Sequence, residues 1–208
     1  MTHQVKICGL TRREDVLAAD RAGADYLGFI FAKSPRQVTP EHAATISEGV
    51  RAKRVAVVVD PTADELSTLL DTFAPDFVQF HGDEAPESVL RVAADHDVGV
   101  VNAVPISDTD DMKRAERYAA CDLILYDAKP PTGSDVRGGH GMAIDWDIIA
   151  NSPRPKHFAL AGGLTPSNVA EALARTGATL ADTSSGVEVS PGVKDPAAIR
   201  AFVEAARG

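Results

Sequence analysis

Cysteine is scarce in this chain of 208 residues, with only Cys8 and Cys121. A single disulfide is the most they could form; a core of this size does not require one, and cytosolic redox conditions oppose it. No apolar run approaches the roughly 20 residues needed to span a bilayer, and the first residues carry no apolar signal segment. A cytoplasmic location without a membrane partner is the expectation. Positive charge is also in deficit, 21 Lys and Arg standing against 30 Asp and Glu for a net charge of -9. That balance disfavours a nucleic-acid partner, so any anionic ligand must be held by local donors. No spacing among the six His, the two Cys and the carboxylates matches a metal site, and no bound metal is expected. No Gly-x-Gly-x-x-Gly follows the first apolar run, which counts against an open dinucleotide-binding sheet. No linker, low-complexity stretch or charge block divides the chain, and residues 1–208 read as one domain.

What is present is an alternation. Short apolar, β-branched runs fall at 4–8, 26–31, 54–59, 77–80, 99–104, 123–126, 157–160 and 179–182, with longer helix-like segments between them. Most runs are nearly continuously apolar, as strands covered on both faces should be. Such βα units, at a spacing of roughly 25 residues, fit an α/β fold of the (β/α)₈ TIM-barrel type near its lower size limit. Thr11 with Glu14 reads as a capping box; Pro40, Pro86 and Pro166 suit first helical turns; Gly23 and Gly177 sit where helices hand over to strands. The segments Ala22-Gly23-Ala24-Asp25 and Thr176-Gly177-Ala178-Thr179 hint at a repeated plan.

In such a barrel the chemistry lies at the C-terminal ends of the strands. Cys8 ends the first strand, Arg36 follows the second, His81 ends the fourth, and Asp127 ends the sixth. Alternation puts Lys6 and Cys8 on one face, and Leu123, Leu125 and Asp127 on another. If both faces point inward, a thiol and a carboxyl look into one mouth from nearly opposite sides, placed to act as acid and base. Gly162 and Gly163 follow the seventh strand and Ser184, Ser185 and Gly186 the eighth. Loops in those places let backbone N–H groups approach an anion, and they point to phosphate more than to mere tight turns. Arg36 is suited to clamp a carboxylate, with a solvated loop arginine as the equal alternative on spacing alone. His81 is placed to position a substrate or to hydrogen-bond a neighbouring loop, and its place favours the supporting role. The polar, Gly- and Pro-rich stretch 129–141 reads as a lid over the mouth or as an insertion.

Taken together, Lys6-Ile7-Cys8-Gly9-Leu10-Thr11, Ser34-Pro35-Arg36, Gln79-Phe80-His81-Gly82, Asp127-Ala128-Lys129, Gly138-Gly139-His140-Gly141 with Asp145-Trp146, Ala161-Gly162-Gly163-Leu164 and Ser184-Ser185-Gly186-Val187-Glu188 resemble the phosphoribosylanthranilate isomerase family from end to end and in one order. The resemblance implies an Amadori rearrangement of N-(5-phosphoribosyl)anthranilate in tryptophan biosynthesis, without a cofactor, by a monomer or homodimer. It makes Cys8 the general base and Asp127 the general acid. Arg36 then holds the anthranilate carboxylate, and Gly162, Gly163, Ser184, Ser185 and Gly186 take the phosphate. Phe80, His140 and Ala143-Ile144 depart from the family's usual residues and bear on loop packing.

Acid catalysis requires a protonated Asp127, and base catalysis a Cys8 thiol that ionises towards neutrality. Lys6, or the helix after Gly9, would supply the positive potential for the latter. A Lys6 inside a barrel needs a carboxylate partner, and Asp182 is the candidate. The enzyme rivals are a phosphosugar epimerase, which wants paired carboxylates and often metal-binding His, and the related synthase of the same pathway, which wants a strand-end Lys. A non-catalytic phosphosugar-binding protein is the rival from another class, and the pairing of Cys8 with Asp127 argues against it.

Overall fold

The computed structural model describes residues 2–129 and 144–208. Its strands are β1 (Gln4–Ile7), β2 (Tyr26–Ile30), β3 (Lys53–Val58), β4 (Phe77–Phe80), β5 (Gly99–Ile106), β6 (Leu123–Ala128), β7 (Ala159–Leu160) and β8 (Leu180–Thr183). They pair in parallel in chain order and close into a barrel where β1 meets β8, with Lys6 opposite Asp182 in the register. Each run anticipated from the sequence forms a strand. β5 and β6 extend two residues beyond their apolar runs, which carries Asp127 into the ladder opposite Pro105.

Helices α1 (Arg13–Ala22), α2 (Pro40–Ile46), α3 (Ala63–Phe73), α4 (Pro86–His96), α5 (Thr109–Ala115), α6 (Trp146–Ala150), α7 (Val169–Thr176) and α8 (Pro196–Arg207) follow the strands in turn. A short antiparallel hairpin, β9 (Glu188–Ser190) with β10 (Val193–Lys194), lies between β8 and α8. Pro40 and Pro86 open α2 and α4, where a missing N–H costs nothing. Gly23 and Gly177 end α1 and α7 in the left-handed conformation, with φ of 90° and 74°, which glycine adopts without strain.

Two local expectations fail. The Thr11–Glu14 capping box does not form: α1 is preceded by Arg12 without a side-chain cap, and the Thr11 hydroxyl instead donates to the Gly192 carbonyl at 2.6 Å. A long-range partner in the hairpin outcompetes the local one. A capping box does form at α3, where Thr62 accepts from the Glu65 N–H and Glu65 accepts from the Thr62 N–H. Pro166 precedes α7 rather than opening it; the turn before that helix is closed by the Asn168 side chain, which accepts from the Thr165 N–H.

The core has two parts, set by the two-residue period of each strand. Outward residues such as Ile7, Leu27, Phe29, Tyr126 and Leu160 pack with the helices. Inward residues Val101, Ala103, Leu125, Ala159, Ala161 and Leu180 fill the bore. Above them the inward positions turn polar, which is where the mouth begins. Among the described residues no helix is long and apolar enough to cross a membrane. Thr62→Ala should lower unfolding free energy by about 0.5–2 kcal/mol, whereas Glu14→Gln should stay within about 0.5 kcal/mol; urea denaturation midpoints measure both.

Candidate active site

The C-terminal mouth of the barrel encloses a cavity of about 890 Å³ whose walls include Cys8, Arg36, His81, Asp127, Gly162, Gly163, Ser184, Ser185 and Gly186. The catalytic, carboxylate-holding and phosphate-holding candidates thus converge on one cavity. Asp182 also lines it, whereas Lys6 lies deeper and lines the second cavity, which opens at the opposite end of the bore. Most of the stretch 129–141 lies outside the described residues, as do His140 and Ala143. Phe80 is buried in the outer core.

Cys8 sits just past β1, its N–H bonded to the Thr183 carbonyl at 2.8 Å. Room for its sulfur is made by Gly28 on β2, where an added Cβ would fall 2.7 Å from Sγ. Gly28 escaped the reading of the sequence; a glycine in the middle of an apolar strand is the signal that marks such a close approach. Beneath the thiol, Lys6 Nζ donates to Asp182 Oδ2 at 2.8 Å, with both side chains under one tenth exposed. This is the ion pair anticipated for the bore. Burial opposes the Lys6 charge, but Asp182 and Cys8 outweigh it and push the Lys6 pKa up to about 12. Burial raises the Asp182 pKa despite the attraction of Lys6.

The surroundings of the thiol run against the expected fall in its pKa. Burial pushes its pKa above the ordinary thiol value; the charges of Lys6 and Lys194 pull it down, and Asp182 pushes it up again. Desolvation is the larger effect, so Cys8 rests as a thiol beside two cations that favour its ionisation.

Across the mouth, Asp127 Oδ1 accepts from the Ala128 N–H at 2.7 Å and Oδ2 lies 3.1 Å from His81 Nε2. His81 Nδ1 is 3.1 Å from the Gln79 amide nitrogen. Which nitrogen donates along the chain Asp127–His81–Gln79 follows from the tautomer of the ring. Both ring nitrogens are occupied. His81 thus contacts the Asp127 carboxyl on one side and the Gln79 side chain on the other, and it lines the cavity.

Arg36 is likewise partly committed. Its Nε and Nη2 each donate at 2.8 Å to the two oxygens of Glu188, so the edge suited to a bidentate carboxylate clamp faces the protein. Nη1 and the second hydrogen on Nη2 stay open to a ligand among the described residues. Glu188 also accepts from Lys194 at 2.8 Å, and neither Glu188 nor Lys194 had been singled out as a site residue. Their signal was faint: a Glu and a Lys six positions apart around a turn glycine.

The two Gly-bearing loops run close to neighbouring backbone. Gly162 and Gly163 have φ of 84° and 64°, and a Cβ on Gly162 would lie 2.7 Å from the Ala128 backbone nitrogen. Ser185–Val187 forms a single 3₁₀ turn after β8; the first N–H groups of such a turn have no partner within it.

A family model described as N-(5'phosphoribosyl)anthranilate (PRA) isomerase matches residues 5–205. An N-(5'-phosphoribosyl)anthranilate isomerase from Rhizobium rhizogenes is 44% identical over 209 residues, covering 99% of this chain and 94% of that relative. The crystal structure of phosphoribosyl anthranilate isomerase from Thermotoga maritima superposes with a TM-score of 0.87 at 35% identity, covering 99% of each chain. A phosphoribosyl anthranilate isomerase solved in complex with reduced 1-(o-carboxyphenylamino)-1-deoxyribulose 5-phosphate superposes with a TM-score of 0.85 at 34% identity, again over 99% of each chain.

The electrostatics of Cys8 give a direct expectation. Its alkylation by iodoacetamide, followed peptide by peptide to separate it from Cys121, should keep accelerating with pH beyond the ordinary thiol value. Lys6→Met should move that profile further up and, by leaving Asp182 buried without its cation, cost about 3–5 kcal/mol of stability. A profile that is already flat at neutral pH in the wild type, or unmoved by Lys6→Met, would contradict this account.

Proposed function

This chain belongs to the N-(5'-phosphoribosyl)anthranilate (PRA) isomerase family, and on that premise we propose that its mouth performs the Amadori rearrangement of PRA by acid–base catalysis between Asp127 and Cys8. The observation that carries the reading is that these two side chains line one cavity together with two loops suited to phosphate.

In this reaction Asp127 gives its proton to the furanose ring oxygen. The bond from that oxygen to C1 breaks, and the nitrogen lone pair forms the C1 iminium. Cys8 thiolate then takes the proton from C2, and the electrons of that C–H bond flow towards the iminium nitrogen to give the enolamine, which tautomerises to the ketose. His81 and the Ala128 N–H hold the Asp127 carboxyl so that its oxygens cannot rotate freely. Preorganisation of this kind lowers the reorganisation needed at the moment of proton transfer.

The raised pKa of the Cys8 thiol suits the order of steps. Only the thiolate can take a carbon-bound proton, and burial disfavours it. An iminium cation formed within the same cavity adds to the pull of Lys6 and Lys194 and favours that thiolate. The base therefore strengthens once the acid has acted. Arg36, by its open edge, holds the anthranilate carboxylate, and the backbone N–H groups of the Gly162-Gly163 and Ser184 to Gly186 loops hold the phosphate. No step calls on a cofactor.

Purified protein, without added metal or cofactor, should abolish the fluorescence of PRA as it is consumed; a folded protein that leaves the signal unchanged would sink the proposal. Cys8→Ser and Asp127→Asn should each lower kcat/KM by about 10²–10⁴-fold, the usual worth of a general acid or base, with thermal midpoints close to the wild type. Full activity in Cys8→Ser would rule out the base assignment, and an unchanged rate across neutral pH in Asp127→Asn would rule out the acid.

A further inference from the structure

We propose that Glu188 and Lys194 are positioning residues that bind the two anion-holding groups of the mouth into one unit: Glu188 presents Arg36 by its open edge, and Lys194 holds the Ser184 hydroxyl as a donor to phosphate. The proposal deepens the phosphate reading of the Ser184 loop and rests on it.

Glu188 and Lys194 face each other across the β9–β10 hairpin, and both side chains are turned inward, 5% and 0% exposed. Every hydrogen on Lys194 Nζ has an acceptor: Glu188 Oε1 at 2.8 Å, the Ser184 carbonyl at 3.0 Å and Ser184 Oγ at 3.3 Å. Glu188 Oε1 takes Lys194, Arg36 Nε and the Gly192 N–H, while Oε2 takes Arg36 Nη2. Three charges, two positive and one negative, are thus buried with their hydrogen bonds nearly saturated, the condition under which such a cluster is held in one geometry.

The consequence for Ser184 follows from the chemistry of a hydroxyl, which carries one hydrogen and two lone pairs. With an ammonium donating to its oxygen, the hydroxyl hydrogen is turned away from Lys194, and among the described residues it meets no acceptor. It faces a cavity whose other wall is the Gly162-Gly163 loop. A phosphate oxygen is the acceptor that completes it. The consequence for Arg36 is parallel. A two-point ion pair on Nε and Nη2 fixes the plane of the guanidinium and leaves Nη1 with a hydrogen of Nη2 as the exposed fork, matched to one carboxylate. Gly9 allows the two groups to approach, since an added Cβ there would fall 2.8 Å from Ser184 Oγ and collide with Arg36 Cδ.

Calorimetric titration of the full-length protein with inorganic phosphate tests the Lys194 arm apart from catalysis. Lys194→Met and Ser184→Ala should each weaken phosphate binding at least about 10-fold, the worth of one hydrogen bond to a charged group. The double variant should bind no more weakly than the weaker single one, because Lys194 acts through that hydroxyl. Glu188→Gln should weaken anthranilate binding by a similar factor. Removal of the Lys194 charge should also shift Cys8 alkylation to higher pH, which a loss of packing alone would not do. Unchanged phosphate affinity in Ser184→Ala, a variant with little burden on folding, or additive losses in the double variant, would overturn the proposal. If the wild type bound no phosphate at all, the phosphate reading itself would fall and this proposal with it; turnover of PRA by the same sample is a separate measurement.

Discussion

The buried pair of Lys6 and Asp182 is the constraint on which the rest of the molecule turns. It lies where the first strand meets the last, so it spans the seam that closes the barrel. Desolvating two charges costs several kcal/mol per ion, and a bore filled only with Val, Leu and Ala would avoid that cost. The pair therefore marks the level at which the inward face changes from packing to chemistry. Below it the bore is apolar; above it stand a thiol, a carboxyl and two anion-ready loops. Among the described residues one oxygen of Asp182 has no hydrogen-bond partner, so the carboxylate is satisfied at the oxygen that meets Lys6 and not at the other.

That arrangement organises the charges around Cys8. Cations from β1 and from the hairpin, Lys6 and Lys194, work against the desolvation of the thiol, while Asp182 works with it. The Asp127 carboxyl across the mouth is held independently, by the Ala128 N–H and by His81, which in turn meets Gln79. Two proton-carrying side chains, each with its own support, are what an acid–base rearrangement requires. In a chain of net charge -9, the proposed binding of an anion at the remainder of the mouth has to rely on such local donors.

Much of this was legible in the sequence, because the parallel barrel leaves a strong imprint. Strands buried on both faces read as apolar runs, and a two-residue period tells which of Lys6, Cys8, Leu125 and Asp127 look inward. The Lys6–Asp182 pair could be anticipated for that reason: an inward lysine must find a carboxylate, and few were available. Local capping was less legible. Thr11 and Glu14 satisfy the pattern of a capping box, yet the hydroxyl is claimed by Gly192, some 181 residues away in the chain. The same hairpin supplies Glu188 to Arg36 and Lys194 to Ser184, and nothing in the local pattern says that a two-stranded excursion after the last strand folds back over the mouth. Strand-end position identified His81 as a site residue, but its role depended on which atoms occupied its two nitrogens, and only the assembled geometry could say.

The central claim is that the Cys8 thiolate removes the proton from C2 of the sugar, as a base and without forming a bond to carbon. PRA carrying deuterium at C2 tests it most directly, in single-turnover reactions of the wild type and of Cys8→Ser. In the variant proton abstraction becomes the slowest step, so the deuterated substrate should react several-fold more slowly than the ordinary one, with no adduct mass on the wild-type protein at any time. Equal rates for the two substrates in Cys8→Ser, or a covalent sugar adduct on Cys8, would contradict the account.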